Sequence, residues 1–216
     1  MKLAMQGFEL IYWFGEEKAF AILKEAGFDG IDYYYDHRDH VLKDGYIERA
    51  QNTRSLLDRA GISCVQVHAP FDFTYEQAED NYTCLLRAIE CAGIIGAPYI
   101  VIHYLMPPQE VDFIECNRAF YKSFEPYAKK AGVKIAIENL YYRDLKRGGY
   151  LGKEFADPYI LKEFVKSLDS DIFVACVDTG HASLTPTEPE DFIRVFDNNT
   201  LKVLHVHDTD YLDSVQ

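Results

Sequence analysis

The sequence predicts an α/β fold, a parallel sheet covered by helices. Short apolar runs alternate with longer amphipathic segments along the whole chain. Those segments repeatedly end in glycine, and ionisable residues gather at the far ends of the apolar runs.

The strand candidates, in order, are "KLAMQGF", "GIDYYY", "SCVQVHA", "YIVIHY", "KIAIENL", "IFVACVDT" and "LKVLHVHD". Most are nearly continuous in Val, Ile and other apolar residues, as expected where both faces of a parallel sheet are covered. Helix-like stretches lie between them: Glu16–Ala26, Ile47–Ala60, Tyr75–Ile95, Phe113–Ala131, Tyr159–Leu168 and Glu190–Phe196. The endings "EAGFDG", "DRAGIS", "CAGIIGAP" and "KKAGVK" place a glycine where a helix is capped and turned toward the next strand. A doubly wound open sheet and a closed (β/α) barrel both satisfy this rhythm. No Gly-x-Gly-x-x-Gly follows the first strand, which weighs against a dinucleotide cofactor. "MPPQEVD" and "LTPTEPED" read as local loops, so residues 1–216 read as one domain.

The composition narrows the classes of partner. A formal charge of -13 disfavours nucleic acid and anionic membranes, whose binding rests on neutralised phosphates. Cys64, Cys84, Cys91, Cys116 and Cys176 are scattered without a Cys-x-x-Cys pair, several within apolar runs, as free thiols in a reducing cytoplasm are. The N-terminus is interrupted by Gln6, Glu9 and Glu16, unlike a signal peptide, and no segment is long enough to span a membrane. A cytoplasmic protein is expected.

The position of the polar residues carries the functional reading. His68 ends "CVQVHAP", His103 ends "YIVIHY" and Glu138 ends "KIAIEN". Asp178 ends "FVACVD", with His181 three residues on, and His207 ends "VLHVHD". Each alone reads as well as a structural residue: a hydrogen-bonded histidine, Glu138–Asn139 capping the next segment, or Asp178 starting a turn with Thr179 and Gly180. Together they put a costly polar group on the C-terminal edge of five successive strands, where α/β proteins gather ligands and catalytic groups. Two carboxylates plus imidazoles, with no cysteine, describe an N/O site for a divalent ion such as Mn, Mg, Co or Zn. Glu138, Asp178 and His207 form a candidate open shell, and a metal on adjacent substrate oxygens stabilises an enediolate. His205 shares a strand face with His207 one level lower and reads as a satisfied core histidine.

The segments "AGFDGID", "VHAPF", "VIHY", "AIENLY", "VDTGHA" and "HVHDTD", in that order, resemble the xylose isomerase-like TIM barrels. That superfamily includes sugar phosphate isomerases and epimerases and endonuclease IV. The resemblance implies a (β/α)8 TIM barrel. It implies that Glu138, Asp178 and His207 are metal ligands, that Glu138 also moves a proton, and that His181 contacts substrate oxygens. It makes His68 and His103 candidate extra metal or substrate ligands, and Asp208 and Asp210, on the rim beyond, are further candidates. The family's eighth-strand glutamate has no counterpart here. The barrel is therefore expected to be incomplete at its C-terminus, with about seven strands and the last β/α unit missing.

The expected function is a divalent-metal-dependent isomerase or epimerase of a sugar, sugar phosphate or related keto-polyol. A zinc phosphodiesterase acting on abasic DNA is the alternative, motivated by His68, His103 and His181 but opposed by the net charge. A third reading is a barrel without chemistry. An open seam would leave two unpaired sheet edges for a neighbouring subunit to cover, which makes a homo-oligomer a candidate state. Phe8, Trp13, Tyr34, Phe71, Tyr104 and Tyr141 are candidates for an apolar wall under a sugar ring, although core packing is the commoner fate of such side chains. "YYYDHRDH" and the Lys146–Arg147 pair fall on loops.

Overall fold

The computed structural model describes residues 1–35, 38–71, 78–143, 150–152 and 154–208. The chain runs β1 (Ala4–Gln6), α1 (Phe8–Phe14), α2 (Glu16–Glu25), β2 (Gly30–Tyr34), α3 (Asp39–Leu42), α4 (Tyr46–Ala60), β3 (Ser63–His68), α5 (Ala78–Ile95), β4 (Tyr99–Ile102) and α6 (Phe113–Ala131). It continues with β5 (Lys134–Glu138), β6 (Tyr141–Arg143), β7 (Tyr150–Gly152), α7 (Pro158–Ser167), β8 (Phe173–Asp178), α8 (Thr179–Ser183), α9 (Pro189–Val195) and β9 (Leu201–His205).

Among the described residues, seven strands form one sheet in the order β1-β2-β3-β4-β5-β8-β9, each beside its neighbour in the main strand succession. The pairs β1–β2, β2–β3, β3–β4 and β8–β9 are parallel. All seven expected strands and the six expected helices are present, with ends shifted by a few residues. The expected start of the third helix, near Tyr75, lies outside the described residues, as do Asp36, His37, Lys146, Arg147 and Asp210. Helices α1, α3 and α8 and the antiparallel β6–β7 pair were not expected. No helix among the described residues is long and apolar enough to cross a membrane, and all five cysteines are free thiols.

The chain packs as two compact units, Met1–Ile102 with Ser123–Ile135, and His103–Lys122 with Ala136–Gln216. In the first, α2, α4 and α5 lie on β2, β3 and β4 and bury Phe20, Leu23, Leu57, Leu85 and Ile89. Gly61 closes α4 at φ 66° and donates back to Asp58 and Leu57, a left-handed cap that a Cβ would strain. Gly93 packs α5 against the end of α6, where a Cβ would stand 2.6 Å from the Ala131 carbonyl oxygen. Gly93→Ala is expected to lower unfolding stability by about 1–3 kcal/mol through forced separation of those backbones. Chemical denaturation checks it, and an unchanged midpoint would refute the packing argument.

In the second unit, α7 begins with Asp157 accepting from Tyr159 N (2.8 Å) and Ile160 N (3.1 Å), with Pro158 in the first turn. Its inner face places Phe164 against Phe155 (centroids 4.7 Å apart) and Tyr121 (5.9 Å). Phe155 also stacks edge-on with Phe113 and Tyr104. Helix α7 packs against β8, the strand that ends in Asp178.

Candidate active site

Six of the expected residues that the structure describes, His103, Glu138, Asp178, His181, His207 and Asp208, belong to the second unit. The sheet explains their placement. Strands β5 and β8 are neighbours, and Asp178 pairs directly with His205 across β8 and β9. Glu138 is the last residue of β5 and only 1% exposed. Its Oε1 lies 2.6 Å from His205 Nδ1 and its Oε2 lies 2.8 Å from His103 Nε2. An ionised carboxylate at this depth is costly unless such partners surround it.

Asp178 divides its two oxygens between structure and site. Oδ1 accepts from His181 N at 2.8 Å and so caps the short α8. Oδ2 faces His205 Nδ1 at 3.5 Å, His207 Nε2 at 3.7 Å and His181 Nδ1 at 3.9 Å. The turn beginning at Asp178 and the placement of its carboxylate in the cluster therefore coexist.

His181 Nδ1 stands 3.0 Å from the Asn139 carbonyl oxygen. A carbonyl only accepts, so Nδ1 carries the proton and Nε2 is left as the basic nitrogen. The Tyr141 ring meets this imidazole edge-on at 5.2 Å. His207 is held through its backbone: its N–H donates to Thr179 Oγ1 (2.9 Å), whose hydroxyl donates to the His207 carbonyl (3.2 Å). Asp208 is exposed at the end of the described chain.

Three participants were not anticipated as such. His205, read from the sequence as a core residue below the site, touches Glu138 directly. Burial alone disfavours its charge, yet Cys176, Glu138 and Asp178 outweigh burial and hold its pKa well above the usual histidine value. Cys176, fully buried, has Sγ 4.0 Å from Glu138 Oε1, and burial pushes its thiol up to about 12. Asn139 does not cap a following segment. Its side-chain amide accepts from Asp178 N (2.6 Å) and donates to Asp178 O (2.9 Å), welding the ends of β5 and β8. The two-residue alternation of a strand carried the signal for Cys176, which shares a face with Asp178 on β8, and His205, the last residue of β9, pairs with that same Asp178. Nothing in the sequence marked the Asn139 clamp.

Two sets of three residues in this unit bring one ligand atom each to within 4.8 Å of one another: Glu138/Asp178/His181 and Glu138/Cys176/His205. The donors are the N, O and S atoms that divalent ions take, so the cluster fits such an ion. His207 meets Asp178 from the more open side, its side chain 35% exposed.

His68 belongs to the first unit. It is buried, with Nδ1 2.9 Å from Ala69 O and its ring against Tyr34 and Phe71. Phe8 meets Tyr34 edge-on in the same group. Trp13, by contrast, is 70% exposed on α1 and donates to Glu9. Tyr104 packs into the Phe113–Phe155 core and reaches the Tyr141 carbonyl with its hydroxyl at 3.4 Å.

Residues 20–214 match the family described as xylose isomerase-like TIM barrel. The chain belongs to this family. Among solved structures of the fold it is similar to a D-tagatose 3-epimerase-like protein, at 25% identity and a TM-score of 0.76 over 99% of this chain and 79% of that one. A D-psicose 3-epimerase solved in the presence of D-fructose matches at 15% identity, TM-score 0.72, over 95% and 73%. The 3-keto-D-glucoside 4-epimerase of E. coli matches at 15% identity, TM-score 0.66, over 89% and 74%. The last two likenesses show the fold alone. Among curated proteins none matches the chain. The xylose isomerase-like family thus accounts for the strand–helix succession.

Proposed function

We propose that this chain is a divalent-metal-dependent isomerase or epimerase of a sugar, sugar phosphate or keto-polyol, moving a proton at a carbon beside a carbonyl. The observation that carries the proposal is Glu138, a carboxylate buried at a strand end with an imidazole on each oxygen. The likeness to a D-tagatose 3-epimerase-like protein supports the substrate class.

Glu138, Asp178 and His207 would hold the ion, which supplies Lewis-acid polarisation of a substrate carbonyl and eases loss of the neighbouring proton. Glu138 is the proposed base. His103 and His205 orient its two oxygens and stand ready to stabilise whichever charge it carries. His181, its Nδ1 proton fixed on Asn139, offers Nε2 to a substrate hydroxyl. The Tyr141 ring beside it restricts water on that side.

The test is a panel of ketoses and ketose phosphates assayed in deuterium oxide, after chelation and after reloading with Mn, Mg, Co or Zn. Chelation is expected to abolish turnover, reloading to restore it, and the product to carry solvent deuterium at the reacting carbon. Absence of divalent binding in titration would end the proposal.

Gly180 supplies a second check. A Cβ there would sit 3.1 Å from His207 Cβ and Nδ1 and 3.2 Å from Asp178 Oδ1. Gly180→Ala is expected to displace both side chains and weaken divalent-ion affinity about tenfold, the scale of a disturbed support around a metal. Calorimetric titration measures it, and wild-type affinity would remove His207 and Asp178 from the ligand set.

A further inference from the structure

The donors deepest in the cluster differ in kind from those at its rim. Along β8, Cys176 precedes Asp178 by two residues and so shares its face, while His205, which ends β9, pairs with Asp178, and His207 follows two residues beyond the strand. Burial follows that order: the Cys176 side is closed and the His205 side chain is 11% exposed, against 35% for His207. Glu138 Oε1, 2.6 Å from His205 Nδ1 and 4.0 Å from Cys176 Sγ, completes a group of one nitrogen, one oxygen and one sulfur. Asp178 Oδ2, 3.5 Å from the same Nδ1, stands in reach as a fourth donor.

We infer that Glu138, Cys176 and His205 form a second, deeper cation position, selective for a thiophilic divalent ion of the zinc or cobalt class. A tetrahedral zinc with bonds of about 2.0–2.3 Å spaces its donors by about 3.3–3.8 Å. The observed spacings of 2.6 and 4.0 Å bracket that range, so sub-ångström movements of side chains suffice. The hydrogen bond between His205 and Glu138 gives way to the ion, and the thiol proton leaves to solvent as sulfur coordinates. Magnesium and manganese, which prefer oxygen donors, are poorly served by a sulfur. The enclosure resembles closed structural zinc sites more than open catalytic ones. The inference rests on the proposed function only in sharing Glu138 and Asp178 with the rim ligands.

Cobalt titration of the full chain tests it. The expected result is a sulfur-to-cobalt charge-transfer band in the near ultraviolet that Cys176→Ser abolishes. Cys176→Ser is also expected to weaken zinc binding by about tenfold or more, and thermal unfolding confirms that the variant folds. Cobalt uptake without that band, or a band that survives Cys176→Ser, overturns the second position while leaving a rim metal and its chemistry intact. A charge-transfer band in a protein inactive on every ketose tested supports the position and counts against the proposed function instead.

Discussion

Glu138→Gln is expected to lower turnover by about 10²–10⁴-fold, the range spanned by loss of a positioned proton-transfer group. Glutamine has the shape of glutamate, so the cavity and the β5 end are preserved. Its charge is gone, however, and one oxygen becomes an NH2 that only donates. Whichever of His103 and His205 meets that NH2 must then turn a lone pair toward it, at positions now 2.8 and 2.6 Å from carboxylate oxygens. His205 also loses one of the groups that raise its pKa. The substitution therefore acts on the base, on the orientation of both imidazoles and on ion binding together. Steady-state kinetics with the best substrate of the panel, at saturating metal, gives the answer. A Glu138→Gln variant that folds and turns over at the wild-type rate would remove Glu138 from the proton path.

The second large effect is expected at Asn139, which touches the site only through its neighbours. It is 1% exposed, and its amide both accepts from and donates to the Asp178 main chain. Asn139→Ala strands one buried donor and one buried acceptor. At about 1–3 kcal/mol each, the expected loss is about 2–5 kcal/mol of unfolding stability. The carboxylate of Asp178 and the carbonyl that orients His181 are then less firmly set, so turnover falls as well. Asn139→Asp retains the acceptor for Asp178 N but places a second oxygen against Asp178 O, so it is expected to rescue stability only in part. Denaturant unfolding measured alongside kcat checks both variants. A change within about 0.5 kcal/mol, the range of an ordinary surface substitution, would contradict the clamp.

These two residues also mark how far the sequence could be read. The strands around Ile135–Ile137 and Phe173–Val177 declare themselves by uninterrupted apolar runs, and the glycines at helix ends by local turn chemistry, both short-range signals. Glu138 and Asp178 were legible because they terminate such runs, and His181 because it follows Asp178 by three residues. Helix α1 was not: "FELIYWF" buries no residue fully and ends with Trp13 in solvent, so it has no apolar stripe to announce it. The β6–β7 pair joins Tyr141–Arg143 to Tyr150–Gly152 without a two-residue hairpin turn. His205 and Cys176 were visible in the alternation of their strands, but their role depends on which face of β8 and β9 meets Glu138. That is a matter of register between strands far apart in the chain. The Asn139 clamp depends on the same register and leaves no mark in composition or period.

Asn139 and Thr179 share a habit with a wider consequence. Each uses a side chain to give a neighbouring strand end both a donor and an acceptor, at Asp178 and at His207 respectively. The rim is thus stitched by side chains that add to the last main-chain pairs of the sheet. Its geometry can be retuned by substitution at two positions while the register of the sheet beneath stays fixed. A scaffold built this way separates the inheritance of its fold from the adjustment of its chemistry.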